Sequence, residues 1–185
     1  MEISLLFGGF GGQGVQTIGK LLTYAGCDAD LNVTFSPSYG GEMRGGTSNC
    51  TVSISPDKEI ASPSKRYLDY VVAFNTPAYA KFKNQIKAGG TLVYNSDLVT
   101  PEMGRDDIRY LEIPLNTLTD KLGSQKVMNI VMLGFISQLF DYIPEEVFRA
   151  TIKVRLGKKA EFIELNDKAF TLGVEYARKL LASNM

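Results

Sequence analysis

Two glycine-rich stretches hold the residue types that could do chemistry in this chain. Gly9-Phe10-Gly11-Gly12-Gln13-Gly14 satisfies the spacing G-x-G-x-x-G. Between a strand and a helix, such a turn exposes backbone N–H groups that hold an anion such as phosphate or carboxylate. Gly9 is expected to permit the tight turn and Gly14 to let helix and strand pack closely. Gly11 and Gly12 let backbone amides approach a ligand with no Cβ in the way. Gly9, Gly11, Gly12, Gln13 and Gly14 are therefore candidate cofactor-binding residues. The second stretch, from Ser38 to Asn49, combines one guanidinium, one carboxylate, hydroxyls and four glycines. Arg44 can grip a phosphate or carboxylate through two parallel hydrogen bonds, and Gly45 and Gly46 admit a close backbone. With Thr47 they complete the candidate binding set. A plainer reading stands beside each: glycines that only shape a turn against a neighbouring subunit, and an Arg44–Glu42 pair that stiffens a solvated loop.

What is missing narrows the chemistry. The chain has no histidine, which removes the commonest general base and metal ligand and any Ser-His or Cys-His pair. It has two cysteines, Cys27 and Cys50, so it cannot build a structural zinc site or an iron-sulfur cluster alone. Both cysteines are expected to be small buried hydrophobes. No catalytic residue and no metal ligand is assigned. A dinucleotide fold should also present an Asp or Glu at the end of its second strand to hold the ribose, yet Asn32-Val33-Thr34-Phe35-Ser36-Pro37 contains none. Twenty basic residues balance twenty acidic ones, which argues against nucleic-acid binding and fits a surface partly buried by partners.

These motifs need elements to position them. Ile3 to Phe7 is a short apolar run that reads as a buried strand, and apolar residues recur at helical spacing from Gln13 to Asp30, with Gly19 and Gly26 letting the helix lie close to the sheet. Asn32–Phe35, Cys50–Ser55, Tyr67–Phe74, Thr91–Tyr94 and Arg109–Ile113 read as further strands. The segment from Ser36 to Asn49 is too poor in large apolar residues to be core. Asn75-Thr76-Pro77 offers a cap with proline at the first helical position, predicting a helix to about Lys87 that Ala88-Gly89-Gly90 stops. Helices are also expected over 117–122, 126–140, 145–154 and 166–182. The alternation predicts an α/β fold, a single Rossmann-like domain over residues 1–185, its open and mostly parallel sheet flanked by helices. The run from Ile130 to Phe140 is too short for a bilayer and is expected to be a buried helix. The first residues lack the basic and apolar regions of a signal peptide, so a soluble, cytoplasmic protein is expected.

The phrases GFGGQGV at 9–15, SYGGEMRGGTSNCTVSIS at 38–55 and Ile60-Ala61-Ser62-Pro63 resemble the gamma subunit of the 2-oxoacid:ferredoxin (acceptor) oxidoreductases. The likeness continues through AFNTP at 73–77, GGTLVYNS at 89–96 and MNIVMLG at 128–134. The loop wording is closest to the 2-oxoglutarate enzymes and next to the 2-oxoisovalerate ones, with Gly41 where the usual pattern has proline. The resemblance implies oxidative decarboxylation of a 2-oxoacid with coenzyme A to an acyl-CoA, electrons passing to ferredoxin. Thiamine diphosphate and magnesium would belong to alpha and beta subunits, and iron-sulfur clusters to those or a delta subunit. This chain would be inactive alone and carry no resident cofactor, a contact with coenzyme A being left open. Ser38, Tyr39, Gly40, Glu42 and Met43 would face the other subunits. A free-standing nucleotide-binding dehydrogenase and a purely structural scaffold subunit are the alternatives.

Overall fold

The computed structural model describes residues 2–38, 47–157 and 160–183. The apolar runs become strands β1 (Ile3–Phe10), β4 (Leu68–Ala73) and β5 (Ile86–Asn95), buried over most of their lengths as strands covered on both faces must be. Strands β2 (Asn32–Ser38), β3 (Thr47–Ser55) and β6 (Arg109–Ile113) complete a six-stranded sheet in the order β2-β3-β1-β4-β5-β6. β1, β4, β5 and β6 pair in parallel, whereas β3 runs antiparallel to both β1 and β2. Every strand except β3 therefore points the same way, and five carboxyl ends share one edge of the sheet.

Six helices follow: α1 (Val15–Asp28), α2 (Thr76–Phe82), α3 (Leu115–Lys121), α4 (Met128–Ile136), α5 (Glu145–Leu156) and α6 (Ala160–Ser183). The main core joins α1, α3, α4, α5 and α6 to one face of the sheet, through Leu5, Phe7, Val52, Val72 and Val93. α2 packs on the other face, over Leu6, Val71 and Leu92. The crossover after β1 thus leaves on one face and the crossover after β4 on the other. This is the arrangement that opens a crevice at the carboxyl ends of two adjacent parallel strands. A Cβ at Gly19 would strike Cys50 and Phe35, and one at Gly26 would lie 2.6 Å from Val33 Cγ2, so α1 is held close to β3 and β2 as expected. All of α4 is buried, and among the described residues no helix is long and apolar enough to cross a membrane.

Several expectations need correction. The helix after Asn75 ends at Phe82, and a 3-10 turn (Lys83–Gln85) leads straight into β5. Ala88-Gly89-Gly90 stops no helix; it lies inside that strand, because Ile86 is buried and pairs with Leu68. The surplus residues are taken up in a bulge at Gly89, whose φ is +75°. β2 and β3 also reach into the glycine-rich segment, and Asn49 is buried where a wholly non-core segment was expected. Cys27 is exposed rather than buried. It stands on the solvent side of α1, one position away from the glycine that packs on Val33.

Candidate functional site

The first motif bridges β1 and α1. The Gln13 N–H donates to the Phe10 carbonyl oxygen at 3.2 Å, closing the turn. The expected division of labour among the glycines changes. Gly12 and Gly14 adopt φ of +94° and +76°, which an L side chain rarely tolerates, and Gly14 is the N-cap of α1. Gly9 belongs to the strand, where a Cβ would come within 2.8 Å of Val15 Cγ2 and 3.0 Å of Phe74 Cβ, so it is the close-packing residue. Gly14 packs against Asn129 of α4 rather than against a strand. Around Gly11 and Gly12 a Cβ would meet none of the described residues within 4 Å. The start of α1 has neither a side-chain cap nor an acidic residue in its first turn, so its positive end is uncompensated. Beside it Phe10 remains 40% exposed.

The second motif arrives at the same place. Ser38 ends β2 and Thr47 begins β3, and Thr47 pairs with Phe10, Ser48 with Gly9 and Asn49 with Gly8. The Gln16 amide clamps the two motifs together: Nε2 donates to the Asn49 carbonyl at 2.8 Å and to Ser48 Oγ at 3.2 Å. Its Oε1 is buried without a partner. Of the sequence candidates, Gly9, Gly11, Gly12, Gln13, Gly14, Ser38 and Thr47 are thereby brought to one edge. Tyr39, Gly40, Glu42, Met43, Arg44, Gly45 and Gly46 lie outside the described residues.

Sequence reasoning named Gln13 as a candidate and Asn75 as a cap, but missed the carboxamide network that organises this edge. Gln13 Oε1 accepts from the Phe10 N–H at 2.7 Å and from Asn75 Nδ2 at 2.9 Å. Asn75, expected only as a helix cap, does cap α2, its Oδ1 accepting from the Ala78 N–H at 2.9 Å. At the end of β5, Asn95 Nδ2 donates to the Phe74 carbonyl at 3.3 Å and to Asn116 Oδ1 at 2.9 Å, while Asn95 Oδ1 accepts from the Leu115 N–H at 3.1 Å. Neutral amides thus stand at or just beyond the carboxyl ends of β1, β4, β5 and β6, and their hydrogen bonds link neighbouring turns. Asparagine at a strand end reads as a turn former, so nothing in the one-dimensional pattern announced the network.

No charged residue occurs at 8–17, 47–51 or 74–77. The only thiol near the site is inert: Cys50 donates its S–H to the Val15 carbonyl at 3.3 Å, and burial pushes its pKa up to about 12. What this edge can do is bind, through backbone amides and carboxamides on a rigid frame. An open α/β sheet with such an edge at its switch point is a fold of the doubly wound class.

The particular family follows from comparison. The chain belongs to the pyruvate ferredoxin/flavodoxin oxidoreductase family, whose model matches residues 4–176. It is 34% identical to the ketoisovalerate oxidoreductase subunit VorA of Methanothermobacter thermautotrophicus, over 96% of this chain and 37% of that protein. It is likewise 34% identical to the 2-oxoglutarate synthase subunit KorC of Methanocaldococcus jannaschii, over 97% of this chain and 96% of that one. The chain therefore spans little more than a third of the VorA protein and nearly the whole of KorC. Among solved structures, the 2-oxoglutarate:ferredoxin oxidoreductase of Magnetococcus marinus, with 2-oxoglutarate, coenzyme A and succinyl-CoA bound, superposes with a TM-score of 0.90 at 27% identity. The match covers 97% of this chain and 31% of that one. The gamma subunit of a keto/oxoacid ferredoxin oxidoreductase from Geobacter sulfurreducens gives a TM-score of 0.81 at 31% identity, covering 96% and 99%.

Proposed function

We propose that this chain is a non-catalytic gamma-type subunit of a cytoplasmic 2-oxoacid:ferredoxin oxidoreductase, residues 1–185 forming one gamma-type domain. The assembled enzyme would convert a 2-oxoacid and coenzyme A to an acyl-CoA and reduce ferredoxin. The observation that carries this reading is the meeting of the two motifs at one sheet edge, through the Phe10–Thr47 pairing and the Gln16 clamp. Relatives named for 2-oxoglutarate and for ketoisovalerate match at the same 34% identity. The wording of the loop from Ser38 to Asn49 favours 2-oxoglutarate.

Iron-sulfur clusters do not fit this chain, whose two cysteines stand apart, one exposed on α1 and one buried in β3. Among the described residues no group of three acidic or thiol side chains could hold magnesium. Those groups and thiamine diphosphate are assigned to alpha, beta or delta subunits. Coenzyme A fits the edge better: the backbone at Gly11 and Gly12 and the uncapped start of α1 suit its phosphates, and Thr47 pairs with Phe10 next to them; Arg44, Gly45 and Gly46 are the further candidate contacts. Coenzyme A supplies the thiol that accepts the acyl group; this chain's residues would bind and orient it. Ser38, Tyr39, Gly40, Glu42 and Met43 would then face the alpha and beta subunits.

A dinucleotide-dependent dehydrogenase fits less well. β3 separates β1 from β2, so the end of β2 stands one extra strand, about 4.8 Å, from the glycine turn, and it ends in Ser36-Pro37-Ser38 without an acid. The test is a tagged pull-down from the native host followed by calorimetric titration of coenzyme A, NAD and flavin. Co-purifying subunits and a coenzyme A response support the proposal. A solitary chain that binds NAD, or that reduces methyl viologen alone with a 2-oxoacid and coenzyme A, overturns it.

A further inference from the structure

We infer that Asn75 is a positioning residue that orients the Gln13 carboxamide so that Gln13 Nε2 is presented to an acceptor on whatever binds the glycine turn. The inference rests on the reading of this edge as the binding face. The orientation of both amides is forced by two backbone donors. The Ala78 N–H requires an acceptor, which fixes Asn75 Oδ1 there and turns Nδ2 toward Gln13. The Phe10 N–H likewise requires an acceptor, which fixes Gln13 Oε1 between Phe10 and Asn75. Gln13 Nε2 is then left without a partner among the described residues, on the only long polar side chain of the turn. Capping α2 needs an acceptor alone, and Asp or Ser would serve as well as Asn. The donor half of this buried amide, 2% exposed, is surplus to capping, and its one use is Gln13.

Two variants separate this role from a structural one. Asn75→Asp keeps the cap but sets a second acceptor against Gln13 Oε1, a repulsion relieved only by a flip that abandons the Phe10 N–H. Gln13→Glu keeps an acceptor for both donors but replaces the free N–H group with a carboxylate oxygen. Each is followed by hydrogen exchange at the Phe10 and Ala78 amides and by coenzyme A affinity of the complex purified through this chain. For Asn75→Asp we expect a lowered melting temperature with the fold retained, retained protection at Ala78, lost protection at Phe10 and coenzyme A affinity weakened about threefold to tenfold. Lowering the pH until the new carboxyl is protonated should restore a donor and recover affinity, a dependence the parent lacks. For Gln13→Glu we expect protection at Phe10 to persist while affinity falls. Unchanged protection at Phe10 in Asn75→Asp overturns the inference. Lost protection with unaltered coenzyme A affinity and subunit assembly leaves Asn75 orienting Gln13, but overturns the role of Nε2 and the binding reading of this edge with it.

Discussion

The same residue type does opposite work in two regions of this molecule. In the layer formed by α4 and α6, glycine exists because no space is left: a Cβ on Gly134 would strike the Phe170 carbonyl, and one on Gly173 the Val131 carbonyl. The two helices thereby meet backbone to backbone at these points, where a side chain would have to stand between them. At the carboxyl edge of the sheet, Gly11 and Gly12 have none of the described residues within 4 Å of where a Cβ would stand. They lie next to an uncapped helix start and an exposed Phe10. A glycine packed against its own chain serves the fold. On the function proposed above, the glycines beside the backbone donors at this edge would serve a ligand or partner outside the chain.

Substitutions that fill both kinds of space sharpen the contrast. Gly134→Ala should destabilise most, by about 3 kcal/mol, because the obstacle is backbone and cannot rotate away; urea denaturation measures it. Gly12→Val should cost about 1 to 3 kcal/mol, purely from holding a β-branched residue at φ +94°. Gln16→Ala removes the clamp on the Asn49 carbonyl and should cost about 1 kcal/mol, with faster exchange at the β1–β3 end as the local readout. Gly11→Val should change stability by no more than about 0.5 kcal/mol, yet abolish co-purification or the coenzyme A response. If Gly11→Val instead unfolds the chain, or leaves assembly and ligand response intact, the contrast collapses.

The smallest effect at neutral pH concerns the cysteines. Burial raises the Cys50 thiol from 9.0 to about 12 in the folded protein, so its contribution to stability is fully present below 9 and is lost as pH rises from 9 toward 12. Cys50→Ala should flatten that alkaline slope in a denaturation series. At pH 8 a thiol reagent should label Cys27 at once and reach Cys50 only on unfolding.

How much of this was legible beforehand depended on whether the signal was local. The unit of β1, glycine turn and α1 was readable because an apolar run, a glycine cluster and a 3.6-residue period abut. Arg109–Ile113 was placed to the residue. The insertion of β3 between β2 and β1 was not readable, since alternation in Cys50–Ser55 predicts a strand but says nothing of its direction or neighbour. Residues 86–90 were misread because two glycines after a helical stretch look like a stop, and only the pairing of Ile86 with Leu68 reveals the strand. At the site, glycine spacing marked the turn, whereas the amides that lock it, Gln13, Gln16, Asn75 and Asn95, meet across up to 62 residues of sequence.

The central claim is that the carboxyl edge, and not the helical layer, is the face presented to partners and ligand. Deuterium exchange of this chain, free and within its purified complex, tests it directly. The account predicts strong added protection at residues 9–17 and 47–49 on assembly, with α5 and the exposed side of α6 unchanged. Protection confined to α5 and α6, with the glycine turn exchanging as fast as in the free chain, would contradict it.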